Sequence, residues 1–170
     1  MTLRIFGAIL VIAGCAGVGF SVAAAHRREE YALQQLINAA RFMACELQYQ
    51  MCALPELCCD AAHTADGVVS DVFERLSAEL GQQISPDAAT CMEAAVTATP
   101  RLPEAAKRNL LLMGQSLGRF DLTGQLSGLE SMCQLAQRDL DGLHTNRDVR
   151  LRSYQTLGLC AGIALAILFI

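Results

Sequence analysis

The sequence predicts an all-α protein, and three observations carry that expectation. Apolar residues recur at three- and four-residue intervals through the middle of the chain, proline and glycine cut that middle into helical lengths, and no run of alternating β-branched residues occurs. The expected architecture is a soluble bundle of about six helices framed by two long antiparallel helices, which continue into N- and C-terminal transmembrane segments. The boundaries follow the charge pattern: an N-terminal transmembrane helix at 1–25, a cytoplasmic helical bundle at 26–153 and a C-terminal transmembrane helix at 154–170. All seventeen acidic residues and twelve of the thirteen basic ones fall in the middle segment, giving it a net charge of −5. A polyanion would be repelled, so nucleic acid is not an expected partner.

The first element is apolar from Ile5 to Ala25 without a charge. At about 1.5 Å per helical residue its length matches a hydrocarbon core of about 30 Å. Arg4, the apolar stretch and Ala23-Ala24-Ala25 also resemble a signal peptide. Against that, Arg27 and Arg28 follow the first apolar segment, and Arg147, Arg150 and Arg152 precede the second. Both membrane entries thus carry positive charge on the domain side, which puts the domain in the cytoplasm and these five arginines at lipid headgroups. The second apolar segment, Thr156 to Ile170, is short for a span, with Tyr154 as its interfacial aromatic.

Leaving the membrane, the first helix carries Leu33, Leu36, Ile37, Ala40, Met43, Ala44, Leu47 and Met51 on one stripe and stops near Pro55. A short helix from about Pro55 to His63 uses proline in its first turn. Asp66-Gly67 marks a turn, and Val69, Val72, Phe73, Leu76 and Leu80 stripe a third helix that Gly81 should end. Ser85-Pro86-Asp87 reads as a cap with proline at the first helical position, opening a fourth helix to about Ala98. Pro103-Glu104 opens a fifth, which Gly118 should end in a left-handed conformation. Asp121 should cap the sixth, where Leu122, Leu126, Leu129, Cys133, Ala136, Leu140 and Leu143 form a heptad seam facing the first helix.

Eight cysteines without a CxxC pair read as small hydrophobes in a reducing compartment, with Cys45, Cys52, Cys58, Cys59, Cys91 and Cys133 in helical patterns. The alternative from another functional class is a membrane-anchored metal or redox module, in which Cys59 and His63 chelate a metal with help from Cys45 or Cys52. Enzyme classes find little support. There is no GxxxxGK loop or dinucleotide glycine fingerprint, Lys107 is the single lysine, and His26, His63 and His144 are scattered. No catalytic, cofactor or metal residues are assigned.

Several pieces in order carry a family resemblance. They are Gly7-Ala8, Gly19-Phe20, Glu46-Leu47-x-Tyr49, Leu54-Pro55-Glu56, Val72-Phe73, Gly114-x-x-Leu117-Gly118-x-x-Asp121-x-x-x-Gln125 and Tyr154-x-x-Leu157-Gly158. With the chain length and paired apolar ends, they make the sequence resemble the stage III sporulation protein AB family. One departure is the absence of tryptophan near the start of the fourth helix, where Cys91 and Met92 stand.

The resemblance implies a membrane component of the channel complex between mother cell and forespore, in the mother-cell membrane surrounding the forespore. Its soluble domain would be similar to the cytoplasmic domains of type II secretion F-type platform proteins. It further implies a non-enzymatic scaffold that couples a cytoplasmic secretion-type ATPase (SpoIIIAA-like) to the other channel-complex membrane proteins. Candidate partner-facing residues are Glu46, Glu56, Arg119, Asp121 and Gln125, while Leu54, Pro55 and Gly118 read as structural turn residues. Corner chemistry alone would also account for Gly118 and Asp121.

Overall fold

The computed structural model describes the backbone of residues 2–49, 52–82 and 87–169, and the side chains of residues 24–49, 52–82 and 87–145. Six helices follow one another: α1 (Thr2–Tyr49), α2 (Leu54–Thr64), α3 (Val68–Gly81), α4 (Ala88–Thr97), α5 (Glu104–Ser116) and α6 (Leu122–Phe169). No strand occurs among the described residues, as an all-α reading requires. The chain divides into two units, Met1–Arg28 with Gly142–Ile170, and Glu29–Asp141.

In the first unit, the described parts of the expected membrane segments, 2–25 and 154–169, are helical. Their side chains lie outside the described residues, apart from Ala24 and Ala25. Among the described residues no helix is long and apolar enough to cross a membrane. Arg27 and Arg28 are exposed, while Arg147, Arg150 and Arg152 lie outside the described side chains.

The second unit holds the core. Leu33, Leu36 and Met43 of α1 are fully buried, as are Phe73 and Leu76 of α3, Leu110 and Met113 of α5, and Leu129 and Met132 of α6. Burying a side chain such as Phe73 contributes about 2–3 kcal/mol. The short helices pack in sequence, α3 against α2 and α4, and α4 against α5. Two serine hydroxyls of α3 fasten it to α2: Ser70 Oγ donates to Ala62 O and Ser77 Oγ to Pro55 O, each at 2.8 Å. The turn between them holds Gly67 at φ 65°, the left-handed region that glycine tolerates. Gln35 and Tyr31 of α1 strap that turn: Asp66 N–H donates to Gln35 Oε1 at 3.2 Å, and the Tyr31 hydroxyl donates to Asp66 Oδ2 at 3.3 Å.

Four local expectations need correction. Helix α4 starts after Asp87, whose backbone is extended and whose carboxylate caps the helix by accepting the Ala89 N–H at 3.5 Å. Ser85 and Pro86 lie outside the described residues. Gly81 closes α3 as expected, and Gln82 follows in right-handed conformation with its N–H on Ala78 O. Gly118 is left-handed at φ 72°, but α5 has already stopped, because Leu117 turns extended with its N–H on Met113 O.

The third correction concerns α6, whose buried line runs through Leu129, Met132, Ala136 and Leu140, leaving Cys133 half-buried and Leu122 exposed. The stripe is rotated towards α5 because α6 packs there as well. Arg108 and Asn109 of α5 donate to Asp139 Oδ2 at 2.8 and 2.9 Å. Asn109, 1% exposed, also donates to Ala105 O at 2.8 Å, satisfying both amide hydrogens.

The fourth correction is to the cysteines, of which only some are buried. Cys58 and Cys91 are, but Cys45 and Cys59 are exposed because both sit on outward faces of their helices, and Cys52 lies outside a helix.

Candidate partner-docking corner

The longest family-like motif, Gly114 to Gln125, folds into one corner between α5 and α6, and each of its named residues has a geometric reason there. A Cβ at Gly114 would stand 2.7 Å from Met92 Cβ, so only glycine lets α5 approach α4 this closely. Leu117 is fully buried, and Gly118 reverses the chain. Asp121 caps α6 by accepting the Gly124 N–H at 3.0 Å, which satisfies a free helix-start donor. Gln125 Nε2 donates to Phe120 O at 2.9 Å and so fixes the residue ahead of the cap.

Two glycines outside the motif complete the corner. A Cβ at Gly124 would fall 2.6 Å from Phe120 Cβ, and one at Gly128 would fall 2.4 Å from Ser116 Cβ. The corner therefore closes on small residues at both levels. Its outward product is Phe120, with main-chain oxygen and Cβ both held and 58% of the residue exposed, flanked by exposed Arg119 and Leu122. Sequence reasoning missed Phe120, since a lone aromatic between a turn and a cap has no periodic signature.

The start of α2 adjoins this corner. A Cβ at Gly118 would lie 3.5 Å from Leu54 Cδ2 and 3.8 Å from Ala88 Cβ, so Leu54 and the head of α4 fill the space under the turn. Pro55, half-buried, accepts the Ser77 hydroxyl. Glu56 is exposed in the first turn of α2, where a carboxylate suits the helix dipole. Glu46, half-exposed at the end of α1, faces the same joint: partial burial, then the charges of Glu46, Glu56 and Asp60, push the Cys52 thiol up. No ion pair among the described residues neutralises Glu46 or Glu56.

Of the five candidates, Asp121 and Gln125 are therefore absorbed in building the corner. Glu46, Glu56 and Arg119 remain outward.

The thiols follow their surroundings. Burial pushes Cys58 up from 9.0 to about 12, and Cys91 upward as well. Cys59 Sγ lies 3.8 Å from His63 Nε2 on the exposed side of α2, whereas Cys45 lines a groove between α1 and α6. Among the described residues no three metal-ligating side chains converge. The Cys45 or Cys52 ligand imagined for a Cys59–His63 site is thus not brought to it.

The family pattern for stage III sporulation protein AB matches residues 4–170. A solved structure of a stage III sporulation protein AB (SpoIIIAB) is similar with a TM-score of 0.64 at 19% identity, covering 72% of this chain and 98% of that one. At that identity the likeness establishes the fold. No curated protein matches the chain.

Proposed function

Since the chain belongs to the stage III sporulation protein AB family, we propose that it is a non-enzymatic scaffold of the SpoIIIA sporulation complex that couples a cytoplasmic secretion-type ATPase to the membrane assembly. Family membership supports the place in the complex. The ATPase, the two membrane-spanning ends and the cytoplasmic side are parts of the proposal. In it, 1–25 and 154–170 cross the mother-cell membrane around the forespore, and Arg27, Arg28, Arg147, Arg150 and Arg152 rest at its inner headgroups.

The framing helices run antiparallel in this reading. Leu54, just past the end of α1, lies beneath Gly118, just ahead of α6, and Arg41 and Cys133 line one groove of the same two helices. Two helices produce that order by running in opposite directions.

The observation that carries the docking role is Phe120, an exposed aromatic on a corner too tightly built to fold it away. Exposed aromatics on rigid supports serve as interface anchors because little conformational entropy is lost when they are covered. Arg119, Glu46 and Glu56 supply a polar surround. The test is capture of the secretion-type ATPase of the same complex by the full chain in detergent micelles. Wild-type chain retains the ATPase, and Phe120→Ser loses it with helix content unchanged. Equal capture by both would remove the corner from the docking role.

A further inference from the structure

The groove between α1 and α6 has its own chemistry, distinct from that of the corner. It is open to solvent, spans about 940 Å³ and is walled by Arg41, Cys45 and Tyr49 of α1 and by Leu126, Cys133 and Arg138 of α6. At about 1.5 Å per residue, the α1 wall from Arg41 to Tyr49 is about 12 Å long and the α6 wall from Leu126 to Arg138 about 18 Å. That is room for two to three turns of a helix, roughly 8–12 residues.

The two ends of the groove differ. Tyr49, 77% exposed, and Leu126 make one end apolar, continuous with exposed Leu122. Arg41 and Arg138 lie towards the other, and neither is ion-paired to a carboxylate among the described residues. This is notable in a unit where Glu29–Asp141 holds sixteen acidic residues against seven basic ones. Glu130 also lines the groove, so an incoming carboxylate is favoured at the arginines and disfavoured beside Glu130. That asymmetry gives an occupant a direction. The apolar stripes of α2, α3, α4 and α5 are already buried in the bundle, so the occupant is not one of them.

From this placement we infer that the α1–α6 groove docks an acidic amphipathic helix of a partner protein, apolar residues at the Tyr49–Leu126 end and carboxylates on Arg41 and Arg138. The inference rests on the adapter reading in taking the occupant to be a protein, and it adds a second surface to the corner. The recognition mode is a helix laid in a groove, with apolar side chains supplying contact and charge supplying register.

Cys45 reports occupancy, since it is exposed in the groove, and Cys59, exposed on α2, is the internal control. Full chain in detergent micelles is reacted with maleimide, with and without a probe helix of about 12 residues bearing leucine on one face and glutamate beside it. At probe concentrations about ten times its Kd, Cys45 labels about tenfold more slowly and Cys59 is unchanged. The variant R41E/R138E loses protection by the glutamate probe and gains it from the same peptide with lysine. Both arginines are exposed, so helix content stays unchanged.

Equal protection by both probes, or none by either, overturns the inference. So does slow Cys45 labelling that needs no probe and deepens with protein concentration, because a second copy then fills the groove. Retained ATPase capture alongside failed protection rejects the groove alone. Equal ATPase capture by wild type and Phe120→Ser alongside normal protection rejects the corner alone.

Discussion

The α5–α6 corner and the α1–α6 groove share one helix but use their residues in opposite ways. In the corner, glycine, leucine, aspartate and glutamine are each tied to a neighbour, and glycines leave no space for a Cβ. In the groove, two arginines and an exposed thiol face open space. The comparison teaches that the residues most visible as a motif shape the backbone. Those free to meet a partner carry no local pattern.

The sharpest way to break that contrast is to make corner variants and ask whether they cost stability while groove variants do not. The urea midpoint for exposing the buried Cys58 thiol in the full chain is a common readout. Leu117→Ala removes a fully buried side chain and should cost about 2–5 kcal/mol.

The Cys58 thiol itself gives a pH signature. Its folded pKa, about 12, lies above the usual 9.0, so the folded state holds the proton more tightly. The stability it contributes is complete below pH 9.0 and is lost as pH rises towards about 12. Helix circular dichroism in urea should show this loss in wild type and a shallower one in Cys58→Ala. Parallel pH curves would mean that burial of Cys58 contributes nothing.

Gly114→Ala should cost about 1–3 kcal/mol through overpacking against Met92, partly offset by alanine's better helix propensity of about 1 kcal/mol. Asp121→Ala loses a cap and should cost about 1 kcal/mol. Smallest of all, Arg138→Ala should move the midpoint by no more than about 0.5 kcal/mol, as an exposed residue without an ion pair among the described residues. A larger effect there would give the groove arginines a structural duty and weaken the contrast.

Much of the architecture was legible in the sequence because proline and glycine mark helix ends by local sterics. Pro55, Pro103, Asp66-Gly67 and the Asp121 cap stand where expected. The misreadings came from forces that cross the chain. A heptad through Cys133 assumed one partner for α6, whereas α5 also packs on it and draws Met132 inward. Leu117 rather than Gly118 ends α5, because the buried leucine is needed in the core beyond the last helical turn. Phe120 was invisible as a site because its exposure depends on Gly124 and Gln125, and Arg41 and Arg138 because only the packing of two helices brings them to one groove.

Both docking surfaces require the bundle to share a compartment with the ATPase. Cys45 and Cys59 are exposed, so a membrane-impermeant maleimide applied to intact growing cells that express the chain reads its side directly. The expected result is no labelling of either thiol until the cells are permeabilised, and then labelling of both. Labelling in intact cells would place the bundle outside and contradict the adapter role.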